Sequence, residues 1–81
     1  MIDNSEKAVL KVIEKALNLN EGSLSLDGSM QDIEQWDSLG HIGILVALDK
    51  YFDGKVGNIK EMANADSVRS IINILKNNSL M

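Results

Sequence analysis

Ser38 lies where a polar, acidic stretch of the sequence gives way to an almost continuous apolar run. The acidic stretch ends at Asp37, and the apolar run begins at Leu39. A serine at such a boundary can act as a helix N-cap, whose hydroxyl accepts a hydrogen bond from a free backbone N–H. It can also present that hydroxyl for covalent modification. The sequence around Ser38 leaves both roles open.

A serine-hydrolase site is the first chemistry to weigh at Ser38. His41 follows by one helical turn, which would allow an imidazole near the hydroxyl. The nucleophile elbow, however, requires glycines at fixed positions on both sides of the serine, after a strand. Gly40 satisfies one of these positions, but Trp36 occupies the other and no strand pattern precedes it. We therefore expect no catalytic residue, and we expect His41 to lie on the surface or at a rim.

The acidic stretch does not have the pattern of a metal-binding loop. Counting from Asp27, the alternate positions hold Ser29, Gln31 and Ile33, and the glycine and glutamate of a calcium loop are misplaced. With one histidine and no cysteine in the chain, a transition-metal site is not expected either. The sequence therefore predicts no metal site.

The composition predicts one small folded domain over residues 1–81, with room for one core. Hydrophobic residues make up 44% of the chain, which excludes a disordered composition, and no proline interrupts helices. No apolar run reaches the roughly 18 residues of a membrane-spanning helix, and the N-terminus lacks a secretory-signal pattern. The absence of cysteine fits a reducing compartment. A cytoplasmic protein without a membrane span is expected.

The formal net charge of −4 is concentrated in the middle of the chain. Residues 16–49 hold six acidic residues and neither lysine nor arginine. Nucleic acid is not an expected partner, because phosphate binding needs a basic surface. The acidic residues either form a docking surface for a basic partner or serve only as solvated loop carboxylates, and charge alone does not decide.

Apolar periodicity predicts a first helix over residues 5–17, with its start at Asp3 or Ser5. Asn18, Asn20 and Gly22 are its candidate stop signals. Its buried stripe consists of Val9, Val12, Ile13, Ala16 and Leu17. A long connection over 18–37 follows, and a short helical turn is possible near residues 29–34. Its apolar residues predict that it is anchored across the helices: Leu24, Leu26, Met30 and Ile33.

A second helix is predicted over residues 38–52, apolar around most of its circumference and therefore central in the packing. Asn58 is the predicted cap of a short third helix, and Asp66 or Ser67 that of the last. The stripe of the last helix is Val68, Ile71, Ile72 and Leu75. The predicted fold is all-α, a small four-helix bundle of three main helices and a short third helix.

Small residues form one line along the second helix. Gly40, Gly43 and Ala47 are spaced to share a face. Each interior glycine costs about 0.5–1 kcal/mol relative to alanine. Either another backbone or a partner approaches this line, or the glycines are incidental.

Asp37-Ser38-Leu39, at the start of a second helix after a long acidic loop, resembles the acyl carrier protein family, and its stand-alone phosphopantetheine-binding domains in particular. The resemblance covers nearly the whole chain. It implies that Ser38 receives 4′-phosphopantetheine from coenzyme A, and that Asp37 and Leu39 serve in recognition by the transferase. The thiol of this cofactor carries an acyl or aminoacyl thioester, which accounts for a carrier without cysteine.

The resemblance also implies the partners. They are a phosphopantetheinyl transferase, a loading enzyme of the adenylating or acyltransferase type, and downstream transferases or synthases. A monomeric carrier is expected. Many fatty-acid carriers place acidic residues just after Asp-Ser-Leu, whereas this chain has Gly40, His41 and Gly43 there. Together with Trp36, these residues favour a specialised pathway over general fatty-acid synthesis. The alternative of another class is a helical adaptor or regulatory module without cofactor; in the adaptor, Ser38 is only an N-cap.

Overall fold

The computed structural model describes residues 6–81, in which three α-helices and one short 3₁₀ helix pack around a hydrophobic core. The elements are α1 (Glu6–Ala16), α2 (Ser38–Tyr51), the 3₁₀ helix (Lys60–Asn64) and α3 (Val68–Asn77). The predicted all-α class is confirmed for these residues, and their packing is compatible with a small helical bundle. The count of four helices is not confirmed, because the third element is 3₁₀. The predicted caps of α1, Asp3 and Ser5, lie outside the described residues.

All three α-helices end in the same backbone motif. Asn18, Asp53 and Ser79 follow them with left-handed φ angles of 58°, 58° and 61°. After α1, the N–H of Leu19 donates to the carbonyl of Glu14 at 2.8 Å, and the corresponding bonds after α2 and α3 measure 2.7 and 2.9 Å. This is the Schellman motif, in which glycine usually takes the left-handed position. Of the three candidate stop signals after α1, Asn18 takes the left-handed position, and Asn20 and Gly22 lie beyond it.

The buried face of α3 follows its predicted stripe, and that of α1 follows it in part, since Ala8 and Glu14 outside the stripe are also buried. Val9, Ile13 and Leu17 are buried, whereas Val12 and Ala16 are only half-buried. All four stripe residues of α3 are buried: Val68, Ile71, Ile72 and Leu75. Helical periodicity located these faces because it depends only on residues a few positions apart.

The second helix is covered by neighbours on one side only. Ile44 and Leu48 are fully buried, and α2 contacts both α1 and the 3₁₀ helix. The outward face carries large apolar residues that remain exposed, namely Leu39, Ile42 and Val46. The expected central position is met in that α2 contacts two other elements, but this outward face is not covered by any of residues 6–81. The physical reason is that, among residues 6–81, no further helix is left to pack against that face.

The long connection between α1 and α2 is pinned across the bundle. Leu24 is buried, and the other predicted anchors are half-buried against the core: Leu26, Met30 and Ile33. The N–H of Val68 donates to Gly28 at 3.0 Å, and that of Met30 donates to Asp66 at 2.8 Å. These bonds form an isolated antiparallel bridge to the start of α3. Residues 29–34 form hydrogen-bonded turns and not a helix.

Two of the predicted caps can be compared with the structure. The 3₁₀ helix starts after Ile59, which provides no side-chain cap, so the predicted cap at Asn58 is wrong. Between the two candidates for α3, Ser67 is the cap, since its Oγ accepts from the N–H of Ser70 at 3.1 Å.

Asp49 of α2 fixes the connection before the 3₁₀ helix. Its Oδ1 accepts hydrogen bonds from the backbone N–H groups of Val56 and Gly57 at 3.0 and 2.7 Å.

Candidate functional site

Ser38 is the first residue of α2 and is exposed to solvent. The N-cap is Asp37, whose extended backbone (φ −97°, ψ −168°) places Oδ1 2.7 Å from the N–H of Gly40. The possible role of Ser38 as N-cap is thus corrected, because the neighbouring carboxylate performs it. Among residues 6–81, the Ser38 hydroxyl has no hydrogen-bond partner. The side chain is therefore free to be modified.

The local sequence favours this cap because aspartate is among the best N-cap residues and its charge suits the positive end of a helix. Gly40 is required beside it, since a Cβ there would collide with the carbonyl oxygen of Gln35 and lie 3.0 Å from Leu17. Gly43 differs, because its Cβ would meet only the carbonyl of Ala16 at 3.7 Å. The predicted backbone approach to the small-residue line is confirmed at Gly40, whereas Gly43 has space for a methyl group.

His41 is buried, which corrects the expectation of a surface or rim position. Its Nδ1 accepts a hydrogen bond from the indole N–H of Trp36 at 3.0 Å. Because the indole nitrogen only donates, the imidazole proton lies on Nε2, which donates to the carbonyl of Met62 at 2.8 Å. Both ring nitrogens are thus occupied, and His41 offers no acceptor to the Ser38 hydroxyl. Instead it ties the start of α2 to the 3₁₀ helix.

Three apolar side chains lie exposed beside Ser38 on α2. Leu39, Ile42 and Val46 have exposed fractions of 78%, 57% and 51%, and we call them the apolar ridge. At 100° per residue they fall within about 100° of Ser38 around the helix, and the ridge extends about 10 Å along it. Contiguous exposed apolar surface on a small domain often marks an interaction site. The sequence showed only that the second helix is apolar around most of its circumference, and it did not indicate which face would be exposed.

The acidic residues before and within α2 are largely engaged in local structure. Five of the six between positions 16 and 49 bond to a neighbour: Glu21, Asp27, Asp32, Asp37 and Asp49. Asp27 pairs with Arg69 of α3 at 2.9 Å, and Glu21 approaches Lys11 at 3.9 Å. Glu34 is exposed and has no such partner among residues 6–81. These contacts give the carboxylates local structural roles, while Glu21, Asp27, Asp32 and Asp37 remain exposed to solvent.

The chain matches no known family model, and no solved structure matches it significantly. Among residues 6–81, no helix has both the length and the apolar character needed to cross a membrane.

Proposed function

We propose that this protein is a carrier of acyl or aminoacyl groups and that Ser38 is its attachment site for 4′-phosphopantetheine. The observation that carries the proposal is an exposed hydroxyl without a hydrogen-bond partner on the first residue of α2. In the modification, the Ser38 oxygen bonds to the pantetheine phosphate of coenzyme A. The diphosphate bond breaks, adenosine bisphosphate leaves, and the hydroxyl proton passes to the transferase.

The start of α2 suits a phosphodiester electrostatically. The first turn of a helix leaves backbone N–H groups without intrahelical partners, and the helix dipole favours an anion there. Asp37 uses the N–H of Gly40. A phosphate on Ser38 would therefore lie beside the aspartate cap and not replace it. When bound, the cofactor supplies the thiol that this cysteine-free chain lacks.

The surroundings of Ser38 support a role in presenting the hydroxyl in a fixed position. The bonds from His41 to Trp36 and Met62 tie the first turn of α2 to two other segments. Buried polar networks with every member satisfied are rigid. A transferase would therefore meet Ser38 on an ordered helix start.

The apolar ridge supports docking of partner enzymes next to the attachment site. Leu39 is the most exposed of its residues and directly follows Ser38, which suits the recognition role that the resemblance implies. The first turn of α2 contains no acidic residue. Partners would thus be recognised mainly by apolar contact, which favours a specialised pathway with an adenylating enzyme or acyltransferase over general fatty-acid synthesis.

The test is incubation with coenzyme A and several broad-specificity phosphopantetheinyl transferases, followed by intact-mass measurement. The wild type should gain the mass of one phosphopantetheinyl group, and Ser38→Ala should gain none. Ser25→Ala is the matched control, because Ser25 is also exposed and its loss should leave modification unchanged. A wild type that stays unmodified with every transferase would overturn the proposal.

A helical adaptor without cofactor is the second candidate, and the ridge is the observation that favours it. An adaptor would bind partners through Leu39, Ile42 and Val46 whatever the residue at position 38. The intact mass of the protein purified from its native cells separates the two, since a carrier arrives with the cofactor and an adaptor does not. Loading assays then address the pathway, because general and efficient malonyl transfer would count against a specialised carrier.

A further inference from the structure

A groove of about 740 Å³ runs between α1 and α2, and lysines form its rim. Lys7, Lys11 and Lys15 come from α1, and Lys50 comes from α2. They are four of the eight basic residues in a chain whose net charge is −4. Only Lys11 approaches a carboxylate within residues 6–81, at 3.9 Å and with both side chains exposed. The groove is thus the basic face of an acidic protein.

The floor of this lysine-rimmed groove is apolar. Ala8 and Val12 from α1 and Ala47 and Tyr51 from α2 form it. Ala8 is buried and the other three are half-buried. The short alanine side chains on both helices make the surface concave between the longer lysines. An apolar floor with a few charged groups at its edge is typical of a binding site.

The groove faces away from the proposed attachment site. Ala47 follows Ser38 by nine residues, which places it about 180° around α2 from Ser38. The apolar ridge lies on the Ser38 side of the same helix. A molecule in the groove would therefore leave both Ser38 and the ridge accessible.

We propose that the lysine-rimmed groove binds an acidic amphipathic helix of a partner protein. Lys7, Lys11 and Lys15 are spaced by four residues, so they rise about 6 Å each along α1 and span about 12 Å. Carboxylates four residues apart on a helix lying alongside have the same spacing. The apolar face of that helix would enter over the alanines, as in other helix-in-groove complexes.

The row of charges favours this occupant over a small anion or a membrane. One carboxylate or phosphate group could not reach lysines that extend over about 12 Å. A membrane surface requires apolar side chains that protrude into the lipid, whereas the floor here lies below the lysines. Partner binding at this face would tether the protein while Ser38 stays available, independently of whether Ser38 is modified.

A designed helical peptide of about 15 residues, with leucines on one face and glutamates flanking them, is the probe. It is titrated into the isotope-labelled full chain and followed by backbone amide chemical shifts in NMR. Shifts should concentrate in α1 and the second half of α2, and leave Leu39 and Ile42 unchanged. A control peptide with serine in place of leucine should bind at least about tenfold more weakly, because it cannot fill the apolar floor.

Charge-matched variants separate groove binding from general attraction. Lys7→Glu/Lys15→Glu should weaken peptide binding about tenfold or more, whereas Lys55→Glu/Lys60→Glu, with the same charge change outside the groove, should weaken it less than about threefold. Circular dichroism melting checks that both variants fold.

Three results would overturn the proposal. The first is an absence of chemical-shift changes at peptide concentrations up to about 1 mM. The second is chemical-shift changes centred on the apolar ridge, and the third is an equal loss of peptide affinity in both double variants. If the protein instead co-sediments with phosphatidylglycerol vesicles and does not bind the peptide, the groove would be assigned to membrane binding.

Discussion

The Trp36–His41–Met62 network yields the sharpest stability prediction, through the substitution His41→Leu. This change removes the acceptor of the Trp36 indole N–H and the donor to the Met62 carbonyl, while a side chain of moderate size stays in the core. Trp36 and Met62 are each 1% exposed, so water cannot replace the lost partner without a rearrangement. The perturbation therefore isolates two buried hydrogen bonds.

The two bonds are not equal in their expected cost. A buried donor left unsatisfied costs about 1–3 kcal/mol, and this applies fully to the Trp36 N–H. The Met62 carbonyl keeps a second bond, from the N–H of Ala65 at 3.2 Å, so its loss is nearer the ordinary value of about 0.5–1.5 kcal/mol. Together they predict a destabilisation of about 1.5–4.5 kcal/mol. This is a large part of the 5–15 kcal/mol typical of folded domains.

Urea unfolding is the assay, followed by far-ultraviolet circular dichroism. In the wild-type background the fluorescence of Trp36, the only tryptophan in the chain, reports the same transition. His41→Gln is the matched variant, because its amide can accept from one neighbour and donate to the other. It should recover at least half of the stability lost in His41→Leu.

A double-mutant cycle with Trp36→Phe tests the network itself. In the Trp36→Phe background, the destabilisation caused by His41→Leu should be smaller than in the wild type by at least about 1 kcal/mol, because the main unsatisfied donor no longer exists. The reasoning would be refuted by a His41→Leu cost below about 0.5 kcal/mol, or by equal costs in the two backgrounds.

Other substitutions test the caps and the glycines by the same unfolding assay. Asp37→Ala should destabilise by about 1 kcal/mol through loss of the α2 cap, and Asp37→Asn should retain most of the stability; equal losses would contradict the capping role. Gly40→Ala should lower the free energy of unfolding by about 1–3 kcal/mol, because the added Cβ meets the Gln35 carbonyl. Gly43→Ala should raise it by about 0.5–1 kcal/mol, since a methyl group fits there. The opposite order would contradict the packing at these two glycines. Ser79→Gly should raise the melting temperature, since glycine adopts its φ of 61° without strain, and an unchanged or lower value would argue against the left-handed cap.

Local patterns predicted much of the helical framework. The stripe of α3 is set by residues three and four positions apart, so the sequence alone identifies Val68, Ile71, Ile72 and Leu75 as its buried face. The region in which α1 ends was predictable for the same reason, because helix stop signals are local, although three candidate residues were left open there.

The choice of N-cap for α2 was not predictable in this way. Aspartate and serine have similar N-cap preferences, so propensity cannot distinguish Asp37 from Ser38. The difference depends on backbone angles at the end of the loop, which are set by its anchoring across the bundle. Ser67 and Asp66 at α3 present the same ambiguity, and there the serine is the cap.

The burial of His41 and the exposure of the ridge depend on distant parts of the chain. Met62, which accepts from His41, lies 21 residues away in sequence. No periodicity within α2 indicates that partner. Likewise, hydropathy marks α2 as apolar all round, but only the number of packed neighbours decides that Leu39 and Val46 remain exposed.

The position of the cap also determines which experiment at Ser38 is informative. If Ser38 were the N-cap, Ser38→Ala would lower both stability and function, and the two effects could not be separated. Because Asp37 makes the capping bond and the Ser38 hydroxyl has no partner among residues 6–81, Ser38→Ala should change stability by less than about 0.5 kcal/mol. A carrier would then lose modification and function at unchanged stability, whereas an adaptor, which carries no cofactor, would keep both its function and its stability. A marked destabilisation by Ser38→Ala would show instead that the hydroxyl has a structural role, and would weaken the case for an attachment site.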